Sequence, residues 1–417
     1  MTAATAPKER SLDLRLTLSL GMLSALAPLA TDMQIPGLPD LATSLHTSNS
    51  LAAATVSVFF VGFAVGQIVV GGLSDRYGRR RPILICSALF AVTGALCATA
   101  PNIQVLLAMR VLQGLAGAGT VVSVRAAVRD YAQGSAAARL YSQLSTVSMT
   151  APIIAPLLGG AVLRFTSWRG LFWVFTVLSV ALFVLALFMV EESLPKERRR
   201  EGGGHLRLLV GVVRHPGFAH HLVLSTCQGV ILLSYLSMGA LFLRHDYGVG
   251  PQTYSYLFAI NGAGMVAGQA INARLVTRLG SLTMLTLSIV GYSVGTSMLV
   301  CTVLLHAPLA VAAVSQFVIL STLTISVPNN MALAMVPLGA AAGSAVSLLG
   351  ATQQLAGALV PSLAATMGTS GRVMATTMWL AAVVGFVQIF AVLRPRLRTR
   401  PDTRDRVLPQ QEAGRPG

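Results

Sequence analysis

The stretch GGLSDRYGRRRP, Gly71 to Pro82, carries four arginines and one aspartate. The segments on either side, Val56–Val70 and Ile83–Ala98, carry no charged residue. A dense charge cluster set between two long apolar runs belongs to a chain that passes into and out of a membrane. Composition agrees: the 417 residues are 54% hydrophobic and only 11% charged, where soluble domains hold about 25% charged residues. A formal charge of +16 in a water-soluble protein would suggest nucleic-acid binding. Here the arginines lie between apolar runs rather than on a polar face, which excludes that class. Cys86, Cys97, Cys227 and Cys301 all fall in apolar segments without metal-ligand spacing, so they are expected to be buried free thiols.

A bilayer core needs about 20 apolar helical residues to cross it. Twelve stretches qualify, near 14–35, 51–72, 82–100, 103–125, 140–163, 168–190, 219–243, 252–276, 282–305, 308–333, 343–367 and 373–393. The basic residues before the first span and the segment SALAPLA imitate a cleavable signal. Cleavage after Ala30 would leave an odd number of spans, so the first span is expected to remain. Lys and Arg favour the cytoplasmic side. With both termini inside, all but five of the 30 basic residues fall in cytoplasmic segments. Arg164, Arg169, Arg244 and Arg372 lie outside, and Arg110 lies within a span.

The expected architecture is an all-α integral membrane protein of twelve helices in two parallel six-helix repeats. An N-terminal bundle covers 1–190, a cytoplasmic linker 191–218, a C-terminal bundle 219–394 and a disordered cytoplasmic tail 395–417. Arg76-Tyr77-Gly78 is echoed by Arg278-Leu279-Gly280, and Pro156 by Pro361, at equivalent places in the two halves. Such repeats suggest halves that rock about a central site.

The opening cluster then lies in the cytoplasmic loop between spans 2 and 3. Topology alone accounts for its arginines but not for Asp75 or for Gly71, Gly72 and Gly78. Glycines allow close helix approach and tight turns, and an aspartate accepts backbone N–H groups at a helix start. Arg79 is placed to pair with Asp130 in the next inner loop, RAAVRDYAQG. The expected latch comprises Gly72, Asp75, Arg76, Gly78, Arg79, Arg129 and Asp130.

At this point the chain resembles the major facilitator superfamily, whose loop signature G-x-L-x-D-R-x-G-R-R is matched at every defining position. LAMRVLQGLAGAG (107–119) resembles that superfamily's fourth-span signature, and MTAPIIAPLLGG (149–160) the fifth-span motif of drug/proton antiporters, with Ala155 in place of a common glycine. TDMQIPGLP (31–39), RDYAQG (129–134) and SWRGLF (167–172) resemble the bicyclomycin/chloramphenicol resistance (Bcr/CflA) subfamily. Gln34 departs from that pattern, where a tyrosine is expected. The resemblance implies proton-coupled efflux from the plasma (inner) membrane by a monomer, with small-molecule drugs, protons and the bilayer as partners. A leak-preventing hinge at Pro152, Pro156, Gly159 and Gly160 is implied likewise. Export of an endogenous metabolite, and uptake of a sugar or nucleoside, remain open alternatives.

Ionisable groups within a membrane are costly and mark functional positions. Of the 14 acidic residues only Asp32 falls inside a span, and among the bases only Arg110 lies deep. Asp32 stands roughly 27 Å from the inner end of its helix and Arg110 roughly 10 Å from the outer end of its own, so the two are expected to meet as the proton-coupling pair. Met33, Gln34, Gln113, Gln143, Met149, Gln228, Tyr235, Asn261 and Gln353 are the expected cavity residues. His220 and His221 open span 7 at the inner interface. No phosphate loop, metal cluster or nucleophile constellation is present, so neither an enzyme, an ATP-driven pump nor a bound cofactor is expected.

Overall fold

The computed structural model describes residues 14–131, 154–195, 211–215, 217–336, 338, 342–368 and 370–393. Among them there is no strand. α1 (Leu14–Asp32) is followed by a 3-10 turn (Ile35–Gly37) and α2 (Leu38–Ser44). α3 (Asn49–Tyr77), α4 (Arg80–Ala98) and α5 (Ile103–Tyr131) come next, then α6 (154–162) and α7 (Trp168–Met189). The second half holds α8 (Phe218–Tyr247), α9 (Pro251–Leu279), α10 (Ser281–Leu304), α11 (Leu309–Met335), α12 (Ala342–Thr366) and α13 (Gly371–Val387), which runs on as a π-helical turn to Leu393.

Eight of these helices, α3, α4, α5, α7, α8, α10, α11 and α13, are long and apolar enough to cross a membrane. Most ends fall within a few residues of the expected spans, because local chemistry marks them. The Ser48 hydroxyl caps α3 by accepting the Leu51 N–H at 3.3 Å. Gly248, at φ +66°, closes α8 in the left-handed region, and Pro251 opens α9 where its missing N–H costs nothing.

The first span departs from expectation. α1 stops at Asp32 because Pro36 lacks the N–H that would bond the Asp32 carbonyl, and its ring crowds that carbonyl. The chain bends through the 3-10 turn and resumes as α2, and Thr31–Pro39 stay buried throughout. Asp32 therefore sits at a helix break in the interior, not at the outer edge.

Glycine sets the tight crossings, though not at Gly71 or Gly72. A Cβ on Gly72 would meet nothing within 4 Å, and one on Gly71 would make ordinary contact with Val122. Close packing occurs deeper between α3 and α5. There Gly62 lies against the Val111 carbonyl, Gly114 against that of Phe59, and a Cβ on Gly66 would come within 2.5 Å of the Leu115 oxygen. α12 packs on both α8 and α3, and Gly229 and Gly357 bring α8 and α12 together at backbone distance. The cysteines are all free, but Cys301 is exposed rather than buried.

Candidate functional site

Asp32 is 6% exposed. The neighbouring Thr31 hydroxyl reaches its Oδ1 at 3.3 Å, but lies nearer the Pro28 carbonyl, at 3.0 Å. No arginine or lysine among the described residues forms an ion pair with it. On the opposite side stands the second half of the chain. The 3-10 turn packs on α8 and α9, the helices that carry the buried Tyr235 and Tyr254. Gly159 of α6 abuts the Met33 carbonyl, and a Cβ on the adjacent Gly160 would come within 2.5 Å of Ser255 Oγ on α9. The two small residues thus wedge α6 between the Asp32 break and the second half. Pro156 lies in the first turn of α6; Pro152, Gln143 and Met149 lie outside the described residues.

Arg110 does not meet Asp32, contrary to expectation. It is fully buried and held by other groups. Its Nε donates to the Thr55 carbonyl at 3.1 Å and its Nη1 to Gln113 Oε1 at 2.7 Å. The guanidinium lies 4.4 Å from the Phe59 ring centroid and 5.8 Å from that of Phe172. Carbonyl oxygens and ring faces stabilise this cation without a carboxylate. Matching depth along two helices placed both residues at one level but said nothing about which way each side chain points.

The expected cavity residues within the described part of the chain are largely engaged by neighbouring helices. Gln34 Nε2 donates to Thr55 Oγ1 at 2.8 Å, and Gln228 Nε2 to Ser326 Oγ at 2.7 Å. Asn261 Nδ2 donates to the Tyr235 hydroxyl at 2.9 Å, and that ring stacks on Phe258 with centroids 5.3 Å apart. Gln353 offers its backbone carbonyl to the Gly229 crossing. Of this group Met33 is buried with an apolar side chain. His221 is buried against Asn330 at 2.9 Å rather than lying at the interface.

At the end of the bundle where α3 turns into α4 the structure brings the loop cluster together. Arg79, only 3% exposed, joins Asp75 at 2.6 Å through Nη1 and Asp130 at 2.8 Å through Nε. Burial disfavours its charge, yet the two carboxylates outweigh this and raise its pKa. Gly78, at φ +94°, makes the turn. The backbone-accepting role expected of Asp75 falls instead to Glu192, whose Oε1 accepts the N–H of Arg79 at 2.8 Å and of Leu194 at 3.0 Å. Arg80 adds bonds from Nε and Nη2 to the carbonyls of Val190 and Leu187, which tie the end of α7 to the loop. The start of the 191–218 segment is therefore part of the cluster rather than a free linker. Arg76 is exposed and lies over Tyr77 at 5.3 Å, and the side chain of Arg129 lies outside the described residues. Thr55, Phe59, Phe172, Tyr254 and Glu192 are the members that sequence reading missed. Only Glu192 had a local signal, a carboxylate just beyond an apolar span.

Comparison with known proteins decides the family. The profile of the Major Facilitator Superfamily matches residues 20–361 and, overlapping, 230–414. The chain belongs to that superfamily. A major facilitator protein is a multi-span membrane transporter and not an enzyme. Among relatives, an uncharacterized MFS-type transporter YdgK of Bacillus subtilis is 34% identical over 94% of this chain and 97% of its own. A bicyclomycin resistance protein homolog of Haemophilus influenzae is 26% identical over 92% and 97%. The multidrug resistance protein MdtL of Escherichia coli O157:H7 is 26% identical over 83% and 87%. Among solved structures, the nucleoside transporter NupG superposes with a TM-score of 0.74 at 14% identity, over 91% of this chain and 99% of that one. The xylose transporter XylE of E. coli gives 0.73 at 16%, over 92% and 99%. At such identities these structures speak to the fold alone.

Proposed function

We propose that this transporter is a proton-coupled exporter of small antibiotics, such as chloramphenicol-like amphenicols or bicyclomycin. In this reading it works as a monomer in the plasma (inner) membrane. Twelve spans form two six-helix bundles, 1–190 and 219–394, with both termini in the cytoplasm. The observation that carries the reading is Asp32: a buried carboxylate at a helix break, facing the second half and without a cationic partner among the described residues. Ionised, it is expensive to hold in that setting; protonated, it is neutral. Proton and drug compete for one state of the cavity, and that competition is antiport. Asp75, Arg79 and Asp130, with Glu192, form the cytoplasmic latch, and Pro156, Gly159 and Gly160 form the seam against leak. At a total driving force of roughly 150 mV one proton supports a gradient of a few hundred-fold, of order what resistance requires. The similarity to relatives named for bicyclomycin and multidrug resistance supports the choice of substrates.

Everted vesicles energised by respiration test this with a pH dye inside. Chloramphenicol, bicyclomycin and a lipophilic cation are added in turn. Proton efflux evoked by one of them, and lost in Asp32→Asn, is the expected result. Evoked efflux that persists in full in Asp32→Asn removes Asp32 from the coupling.

A further inference from the structure

The two deep charges of the first half are not paired, yet one residue touches the surroundings of both. Thr55 is completely buried in α3. Its hydroxyl donates to the Ala52 carbonyl at 2.6 Å. With its single proton so engaged, that oxygen is left as an acceptor, and Gln34 Nε2 donates to it at 2.8 Å. The carbonyl of the same residue accepts from Arg110 Nε at 3.1 Å. Gln34 stands two residues beyond Asp32, in the bend between α1 and the 3-10 turn, and is 1% exposed. Among the bonds described, that to Thr55 is the tie between the side chain of Gln34 and α3.

The bend needs such a tie. Pro36 removes a helical hydrogen bond, and the backbone bonds around the break include Met33 N–H to the Leu29 carbonyl at 3.1 Å, Gly37 N–H to the Gln34 carbonyl at 2.9 Å and Leu38 N–H to the Ile35 carbonyl. On its far side the bend meets Gly159 through the Met33 carbonyl and side chain, and Gly37 lies against Leu171 and Trp168 of α7; these are packing contacts without a directional bond. Arg110, in contrast, is anchored from several directions by Thr55, Gln113, Phe59 and Phe172. A caged cation on one side of Thr55 and the broken segment on the other make Thr55 the point where a directional bond from the first half's scaffold reaches the bend.

We infer that Thr55 is a positioning residue for Asp32. Through the Gln34 amide it fixes the bend on which the carboxylate sits, and it passes the position of the Arg110 cage to that bend without any Asp32–Arg110 ion pair. The inference rests on the proposed role of Asp32, but its structural half stands apart from that role. It also assigns a use to Gln34, the position that departs from the resembled subfamily: an amide reaches the Thr55 hydroxyl and fixes the register of the turn. Arg110 then acts at a distance, as the fixed end of the relay, and takes no proton itself.

Thr55→Val keeps the branched shape and removes the hydroxyl; Thr55→Ser keeps the hydroxyl. In the purified full-length protein, hydrogen exchange of the Met33 and Gly37–Leu38 amides is expected to speed up roughly tenfold in Thr55→Val and to stay within about twofold in Thr55→Ser. In vesicles carrying the drug that evokes proton efflux, Thr55→Val is expected to lower the maximal rate by about tenfold with KM within twofold, and Thr55→Ser to restore it. Unchanged exchange in Thr55→Val overturns the inference. So does a serine variant as impaired as valine, or faster exchange with an unaltered maximal rate. If the wild type evokes no proton movement with any drug, the antiport reading has failed instead, and the exchange measurement still decides whether Thr55 holds the bend.

Discussion

Gly114→Ala is the sharpest test of the packing that places the site. A Cβ at this position would overlap the Phe59 carbonyl oxygen and stand 2.8 Å from its carbon and 3.0 Å from Phe63 N. Carbon atoms rest at about 3.5 Å or more from one another, and the overlapped oxygen is nearer still, so α3 and α5 must separate by more than about 1 Å. The neighbours are helix backbone and cannot turn aside. One turn away, the Arg110 Nε to Thr55 carbonyl bond starts at 3.1 Å and would stretch to more than about 4 Å, beyond hydrogen-bonding range. Overpacking contributes about 1–3 kcal/mol of destabilisation, and weakening a bond to a buried charge about 1.5–3 kcal/mol. Together these lower the apparent melting temperature of the detergent-purified protein by roughly 5–10 °C. Gly72→Ala is the matched control, a glycine inside α3 with no atom near its Cβ; it should be neutral or slightly stabilising, since alanine favours helix over glycine. Thermal unfolding followed by size-exclusion fluorescence reads both. Equal melting temperatures for the two variants would refute the argument that Gly62, Gly66 and Gly114 set the α3–α5 distance.

Two further perturbations probe the ends of the bundle. Arg79→Lys replaces a guanidinium that reaches Asp75, Asp130 and the Ser74 hydroxyl at once by a point charge that cannot span them; a loss of about 2–3 kcal/mol in apparent stability is expected, and a lysine variant that melts with the wild type would show that the loop cluster is not held through this fork. At the opposite end, Arg244 of α8 pairs with Asp40 of α2 at 2.8 Å, both side chains 44% exposed. An exposed pair is worth at most about 1 kcal/mol, so Asp40→Asn should shift the melting temperature by less than about 2 °C, and a larger drop would mean that this contact carries more of the joint between the halves than its exposure allows.

The sequence was most legible where physics depends on one variable. Length and apolarity located the helices, and the bounds of α4, α10 and α12 lie within two residues of expectation. The Arg79–Asp130 pair was legible too, because Arg79 stands at the turn between α3 and α4 and Asp130 at the last turn of α5, ends that a membrane surface holds at one level. Azimuth was not legible. Asp32 and Arg110 share a depth, but the break at Pro36 turns one toward α8 and α9 while Thr55, Gln113 and two phenylalanines capture the other. The break itself was written in Pro36 and Pro39, which were counted as the end of a span when burial continues past them to Leu41 and Ala42. Glycine was misplaced for a related reason. Gly71 and Gly72 stand in a conspicuous motif, but close approach depends on the crossing point of two helices, and that lies at Gly62, Gly66 and Gly114.

The claim that Asp32 exchanges its proton for drug is tested most directly by proton release on binding. Drug is added to the purified transporter in weakly buffered detergent solution, with a pH indicator recording protons and calorimetry recording binding. The account predicts that the drug active in vesicles binds both proteins, releasing protons from the wild type and none from Asp32→Asn. Equal release from Asp32→Asn, with the same drug bound, would contradict it.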